Sequence, residues 1–198
     1  MYSARRARGF TLVELLAVIA IISILMSIVM VSISGSKAKS RDARRISDIR
    51  TIQLALAQYY NDNYMYPKNI YALTSAGAAP NNGLVGAYMP VVPYDPQISG
   101  VCTDGSQASC YRYIALTSGG SPACNSTTYI PNKYHIGAIF EEATNNELLR
   151  DVDAPVAGSG SMSGFQACTG SGTGDFNGLT VACTSTSNAA DGCYDQTP

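Results

Sequence analysis

RRARGFTLVELLAVIAIISILMSIVMVSIS, residues 5–34, is the stretch that decides the fold of this chain. From Phe10 to Ile33 it contains fifteen Leu, Ile, Val or Phe residues and one carboxylate, Glu14. These apolar residues favour membrane insertion by roughly 7 kcal/mol, whereas a central charge opposes it by about 2.5–3.5 kcal/mol. A helix over these residues would be about 36 Å long, enough to cross a bilayer core of roughly 30 Å. The sequence therefore predicts a membrane-spanning helix over residues 10–33.

Three other interpretations compete for this segment. A cleaved secretory signal fits the basic start, but its apolar core should be about 7–15 residues long and end in an A-x-A-like site, which is absent here. A twin-arginine export signal at Arg5 and Arg6 meets the same objections of length and of the acid. An ordinary one-span anchor with an incidental Glu14 stays open. An ionisable residue within a membrane is nevertheless a functional candidate whose partner must be named.

The span itself offers Glu14 no cation, so we considered an amine created by cleavage of the chain. A cut after Gly9 places the new amino group of Phe10 at the membrane edge, about one helical turn from Glu14. If Glu14 faces this amine on a neighbouring copy, the pair interacts by roughly 4 kcal/mol at about 4 Å before desolvation is counted. This pairing would fix the axial register between subunits, so Glu14 is predicted to direct assembly.

The pattern Arg6, Gly9, Phe10, Thr11, Leu12, Val13, Glu14, followed by some twenty apolar residues, resembles the class III signal of type IV pilins and pseudopilins. The resemblance implies that a prepilin peptidase removes the leader, residues 1–9, by cutting between Gly9 and Phe10, and N-methylates Phe10. It implies a single-pass inner-membrane protein with a cytoplasmic N-terminus. An assembly platform and an ATPase would then move it into a homo-oligomeric helical filament in which Glu14 serves assembly.

The function expected first is a structural subunit of a type IV pilus-like filament at the cell surface. The alternative within this class is a pseudopilin of a type II secretion system, in an extracytoplasmic pseudopilus. An alternative of another class is a membrane-anchored extracytoplasmic binding protein or adhesin that never polymerises. None of the three is an enzyme. The chain has one histidine and lacks a Gly-x-Ser-x-Gly motif, a phosphate-binding loop and a recognisable carboxylate pair.

The helix is predicted to continue beyond the membrane, from Phe10 to about Asp62. Its second part carries an apolar stripe at steps of three and four, formed by Ile46, Ile49, Ile52, Leu56 and Tyr59 or Tyr60. Asn61–Asn63 and Pro67 end it. The first half, apolar all round, must be buried by lipid or by sister helices, whereas the striped half can pack on a sheet.

Residues 63–198 are predicted to form an extracytoplasmic globular domain of the α+β class, with a small antiparallel sheet packed on the long helix. Strands are expected at Tyr111–Leu116, Lys133–Phe140 and Gly178–Cys183, and a short helix or turn at Glu141–Leu149. The stretches 58–67 and 88–96, rich in Tyr, Asn and Pro, also resemble the major pseudopilins. The C-terminal region is predicted to be rich in loops and stapled by disulfides.

Charge is divided unevenly along the chain. Residues 1–50 carry nine basic and three acidic side chains, a net charge of +6, whereas residues 51–198 carry four basic and eleven acidic ones, a net charge of −7. Beyond residue 50 the only basic residues are Lys68, Arg112, Lys133 and Arg150, so strong nucleic-acid binding is not expected. The basic cluster at residues 37–50 suits lipid phosphates, or groove charges between packed helices, better than nucleic acid.

Cysteine usage points to an oxidising compartment. All six cysteines lie in the second half, where an even number in a small domain indicates disulfides: Cys102, Cys110, Cys124, Cys168, Cys183 and Cys193. A pair between Cys102 and Cys110 is favoured across a tight loop, and the other four cannot be paired from the sequence. The basic residues behind the span would by themselves favour a cytoplasmic C-terminal domain. The cysteines and the leader oppose that orientation.

Metal binding was considered at two places. Zinc is improbable because no two cysteines are closer than eight residues apart and the sole histidine, His135, lies in an alternating run. Asp151 and Asp153, with Asp175 or Asp191, offer oxygen ligands that suit calcium, which major pseudopilins bind through a C-terminal loop. Solvated loop acids are the alternative interpretation.

Overall fold

The computed structural model describes residues 10–97, 100, 102, 110–118, 124–125, 127–142, 145–150, 166–168 and 193–198. Helix α1 spans Leu12–Asn63, in close agreement with the predicted helix from Phe10 to about Asp62. Two 3₁₀-helices follow at Thr74–Ala76 and Asn146–Arg150. The strands are β1 (Arg112–Thr117), β2 (Pro131–Ile139), β3 (Gln166–Ala167) and β4 (Cys193–Gln196). The leader, residues 1–9, and the expected strand at Gly178–Cys183 lie outside the described residues.

The chain divides into two compact units, residues 1–39 and residues 40–198. In the first unit the described residues form the apolar part of α1, whose large side chains from Leu12 to Ile33 are 45–74% exposed wherever they are described. By length and composition, α1 is the one helix in the described part of the chain that could cross a membrane. The second unit contains the sheet and the hydrophobic core.

The four strands form one antiparallel sheet in the order β3-β1-β2-β4. Strand β1 pairs with β2 so that Ile114 lies opposite His135, and the register shifts between Leu116 and Thr117. The expected strands at 111–116 and 133–140 are therefore confirmed within two residues. Strands β3 and β4, with two and four residues, were not predicted. Segments this short carry too little alternation to be recognised, and they are strands because β1 and β2 offer them open edges.

The core of the second unit lies between one face of α1 and the sheet. Ile49, Ile52, Leu56 and Tyr59 are fully buried in the same hydrophobic cluster as strand residues such as Ala115 and Ile136. The stripe at steps of three and four thus faces the core as predicted. His135 is 1% exposed within β2, so it belongs to the interior of the sheet.

Two disulfides join described residues of the second unit. Cys102 bonds Cys110 with their Cα atoms 5.4 Å apart, which is the pairing that the sequence favours. Cys124 bonds Cys168 with a Cα separation of 5.3 Å, a pairing that the sequence left open. The Cys168 N–H also donates to the Ala115 carbonyl at 2.9 Å, which extends the pairing of the two-residue strand β3 with β1. Cys183 lies outside the described residues, and Cys193 begins β4.

Candidate functional site

The carboxylate of Glu14 lies in the first turn of α1 and forms a reciprocal cap with Thr11. The Thr11 N–H and hydroxyl both donate to Glu14 Oε2, at 2.9 and 2.8 Å, and the Glu14 N–H donates to Thr11 Oγ1 at 3.3 Å. This arrangement is a capping box, which satisfies backbone donors at a helix start. The cap holds the carboxylate at the first turn of the helix. Within a single chain, Glu14 therefore already has a partner.

Thr11 is the residue whose role sequence reasoning missed. Its signal is present, since Thr-x-x-Glu before an apolar run is a recognised helix-start pattern. The amine of Phe10 was considered as the partner of Glu14 instead. Phe10 is 85% exposed at the start of the described chain, and Gly9 lies outside it. Cleavage between Gly9 and Phe10, and the assembly role of Glu14, stay predictions.

Two serines within the apolar part of α1, Ser23 and Ser27, are satisfied by their own helix. The Ser23 hydroxyl donates to the Ile19 carbonyl and the Ser27 hydroxyl to the Ile24 carbonyl, each at 2.7 Å. A surface with polar groups bonded in this way can lie in lipid or against other helices, because no donor is left to water.

Within the second unit, a buried ion cluster around Arg45 holds its part of α1 to the rest of the domain. The Arg45 side chain is 1% exposed, and its guanidinium donates to both oxygens of Asp95 at 2.8 Å. It also donates to Asp42 at 2.6 Å and to Glu141 at 2.9 Å. Arg41 adds a two-point contact to Glu141, with Nε donating at 2.6 Å. These bonds connect α1 with the proline-rich loop at Asp95 and with the chain that follows β2.

The cluster also satisfies backbone groups and keeps its charges. Asp42 accepts hydrogen bonds from the N–H groups of Glu141 and Glu142, each at 3.1 Å. Burial by itself would lower the pKa of Arg45, but hydrogen bonds to Asp95, Glu141 and Asp42 outweigh it and raise that pKa. The hydrogen bond from Arg41 lowers the pKa of Glu141, and Arg45 adds to this effect. Both shifts favour the charged forms of Arg45 and Glu141, so the cluster acts as a structural clamp.

This clamp changes the interpretation of the basic residues that follow the span. Arg45 is turned into the domain, and Arg41 is bound to Glu141, so neither is displayed to lipid phosphates or to a groove as expected. Arg44 and Arg50 remain outward, with side chains 64% and 63% exposed. The sequence showed the Asp42/Arg45 spacing of three but gave no sign of the partners at Asp95 and Glu141.

The described residues also bear on metal binding. In the described part of the chain no group of three or more His, Cys, Asp or Glu side chains is placed to hold a metal ion. The four carboxylates proposed for calcium, at Asp151, Asp153, Asp175 and Asp191, lie outside the described residues.

Comparison with known proteins places these features in a family. A family model described as the prokaryotic N-terminal methylation motif matches residues 4–30. The type II secretion system core protein G of Escherichia coli K12 is 35% identical over 102 residues, which cover 48% of this chain and 70% of that protein. The proteins of the same name from Klebsiella pneumoniae and Aeromonas hydrophila are 37% and 36% identical over 98 residues, covering 46% of this chain and 70% and 68% of theirs.

No solved structure matches the chain. The matches to curated relatives nevertheless extend over more than two thirds of each relative. They agree with a capped, apolar N-terminal helix that continues into a small α+β domain. This chain belongs to the pilin and pseudopilin family, as a relative of the type II secretion system core protein G that carries the prepilin-type methylation motif.

Proposed function

We propose that this chain is a structural subunit of the pseudopilus of a type II secretion system. The observation that carries the proposal is the first part of α1, apolar on every side and exposed in the single chain, with one carboxylate in its first turn. Such a surface requires lipid before assembly and sister helices afterwards. The relatives named core protein G favour the secretion pseudopilus over the type IV pilus that the sequence suggested first.

Processing and topology follow from the motif. A prepilin peptidase cuts between Gly9 and Phe10 and methylates the new amine of Phe10. Before assembly, residues 10–33 hold the subunit in the inner membrane with its N-terminus in the cytoplasm. The domain that follows lies in an oxidising compartment, which the disulfides Cys102–Cys110 and Cys124–Cys168 support. The inner-membrane platform and its ATPase then add the subunit to the filament.

The geometry of Glu14 suggests how the helix cap and the contact between subunits coexist. Both hydrogen bonds from Thr11 go to Oε2. Oε1 accepts no hydrogen bond from the described residues, so it is open to the methylated amine of a neighbouring Phe10. One oxygen would then maintain the helix cap while the other receives the neighbour, and a carboxylate can serve both because it has about four acceptor positions.

A pair of substitutions separates these two roles. Glu14→Gln keeps an oxygen that can accept from Thr11 but removes the charge, whereas Glu14→Ala removes both. We expect Glu14→Gln to be inserted and processed like the parent chain, yet to form no filament and to leave the host's secreted proteins inside the cell. Glu147→Gln, which neutralises a carboxylate of the second unit, serves as the charge-matched control. The measurements are mass spectrometry of the mature N-terminus, the sheared filament fraction and the proteins in the medium.

Normal filaments from Glu14→Gln would refute the role of the charge. A mature chain that keeps residues 1–9 would remove the amine on which assembly depends, and would leave a tethered binding domain as the better function. A type IV pilus would be favoured if the parent strain carried filaments of this chain on its surface and a strain deleted for the chain still secreted normally.

A further inference from the structure

A cleft of about 400 Å³ lies in the second unit, between the end of α1 and the ends of β1 and β2. Its volume is within the range of roughly 300–1,000 Å³ that is usual for small-molecule sites. The described residues of its lining carry tyrosine rings, hydroxyl groups and an amide, and Lys, Arg, Asp, Glu and His are absent among them: they include Tyr60, Tyr64, Ser118, Thr128, Ile130 and Asn132. These described residues offer an ionic ligand no opposite charge.

Tyr64 occupies a backbone conformation that favours other residues. Its φ is +56°, and its N–H donates to the Tyr60 carbonyl at 2.7 Å where α1 ends. Glycine or asparagine is usual in this left-handed position after a helix, because a Cβ strains it. The side chain is 76% exposed and its phenol makes no hydrogen bond within the described chain. The chain thus keeps a tyrosine where the backbone favours glycine, and presents its ring to solvent.

The walls of the cleft are held in place from behind. The ring of Tyr60 packs on Tyr66 at a centroid distance of 4.8 Å, and Tyr66 packs edge-on against Tyr134 at 4.8 Å. These contacts fix one aromatic wall before any ligand arrives. A wall that is already ordered loses little side-chain entropy on binding.

The opposite wall is ordered by Asn125. Its Oδ1 accepts from the N–H groups of Thr127, Thr128 and Tyr129 at 3.0, 2.7 and 3.1 Å. The neighbouring Cys124 is bonded to Cys168. At the adjacent strand ends, the Asn132 amide donates to the Ser118 hydroxyl at 3.3 Å. Hydroxyl and amide groups therefore have set positions facing the tyrosines.

We propose that this cleft binds a neutral oligosaccharide. A pyranose ring has an apolar C–H face, which suits the exposed face of Tyr64, and a rim of hydroxyl groups, which suits Ser118, Thr128 and Asn132. The described lining residues are uncharged, so they lack the arginine or lysine that favours phosphate or carboxylate recognition. Among the described lining residues, Ile130, 36% exposed, is the one with an aliphatic side chain, which is too little apolar surface to hold an apolar peptide. The inference does not rest on the proposed secretion role.

The test uses the full chain in phosphocholine micelles, since detergents with sugar headgroups would compete. Chitotriose and cellotriose are offered separately, and saturation transfer from protein to ligand is measured by NMR. We expect transfer to the ring C–H protons of at least one of them. A response to chitotriose indicates an N-acetylglucosamine polymer as the source of the ligand, and a response to cellotriose indicates a glucan.

Tyr64→Gly is the informative variant, because glycine suits the positive φ and the fold should be at least as stable as the parent. We expect its affinity to fall by roughly tenfold, as for the loss of one stacked ring. Tyr64→Phe should retain binding. Tyr94→Ala removes a tyrosine that is 44% exposed and outside the cleft, and should change nothing.

Absence of transfer to both trisaccharides would overturn the inference, as would unchanged affinity in Tyr64→Gly. If Tyr64→Gly instead shortened filaments while neither sugar bound the parent, the cleft would be a contact between subunits. The sugar-binding measurements can be made whether or not filaments form, so they do not depend on the outcome of the Glu14 experiment.

Discussion

The two halves of helix α1 differ in how their large apolar side chains are exposed. In the first half, Ile24 is 64% exposed and its neighbours are similar all round the helix. In the second half, Ile52 and Leu56 are fully buried, while Leu54, between them in sequence, is 68% exposed. The second half finds its partner within the chain, because its apolar residues form one stripe. The first half has no such stripe, so its partner must come from outside the chain.

Charges differ between the halves in the same way. Among the described residues, the carboxylate of Glu14 is bound by Thr11 alone, three residues away, whereas Arg45 binds Asp95 and Glu141 from distant parts of the chain. The second half is thereby fixed to its domain by long-range bonds. The first half carries a local cap between Thr11 and Glu14, and the contact proposed for it is with a neighbouring chain.

Among the substitutions that test this comparison, removal of Arg45 should have the largest effect on the stability of the second unit. Arg45→Ala leaves the carboxylates of Asp42 and Asp95 buried without their cation, and we expect a loss of about 3–5 kcal/mol in the free energy of unfolding. The measurement is urea denaturation of the full chain in micelles, monitored by the near-ultraviolet circular dichroism of its tyrosines. Arg44→Ala is the matched control. Arg44 is mostly exposed and lies 3.8 Å from Asp48, so its loss should change stability by less than about 1 kcal/mol. Equal losses in both variants would show that burial of the cluster is unimportant.

The next effect compares identical residues on opposite faces. Leu56→Ala should lower the free energy of unfolding by about 2–4 kcal/mol, because it removes a side chain that is fully buried against the sheet. Leu54→Ala, two residues earlier, should change it by less than about 0.5 kcal/mol. Ile24→Ala in the first half should likewise leave the unfolding of the domain unchanged. A large loss in Leu54→Ala would mean that the exposed face already has a partner in the single chain.

Much of this architecture is readable from local patterns. Steps of three and four predicted the buried face at Ile49, Ile52 and Leu56, and alternation placed β1 and β2 within two residues. Short-range polar signals were also present, as Thr11 and Glu14 show. In each of these signals, the residues that form the pattern lie close together in the sequence, within neighbouring helical turns or within one strand.

Long-range pairings are the part that the sequence did not reveal. Arg45 and Glu141 are 96 residues apart, and Cys124 and Cys168 are separated by 44. Nothing local at either end specifies the other, since the fold alone brings them together. The basic residues behind the span were interpreted as a displayed cluster for this reason. Strand β4 is similar, because its four residues become a strand only by pairing with Ile136–Ile139.

Acid should have the smallest of these effects, and it should destabilise the domain that contains the second half of α1 without affecting the first half. The hydrogen bond from Arg41, aided by Arg45, lowers the pKa of Glu141 from its ordinary value of 4.5. Because the unfolded chain binds this proton more readily than the folded one, the stabilisation is complete above about pH 4.5 and is lost as the pH falls through the folded-state pKa. We expect the urea midpoint of the parent to decline over that interval, and that of Glu141→Gln to decline less. Arg41→Gln should flatten the decline in the same way, since it removes the main cause of the shift.

The far-ultraviolet circular dichroism should change least in this titration. In a micelle the first half of α1 is held by apolar burial and by backbone bonds within the helix, neither of which depends on Glu141. Acid should therefore weaken the tyrosine signal of the domain before the helical signal of residues 12–33. Simultaneous loss of both signals would show that the first half depends on the domain for its structure. That result would refute the conclusion that the second half of α1 is stabilised by its own domain whereas the first half is stabilised independently of it.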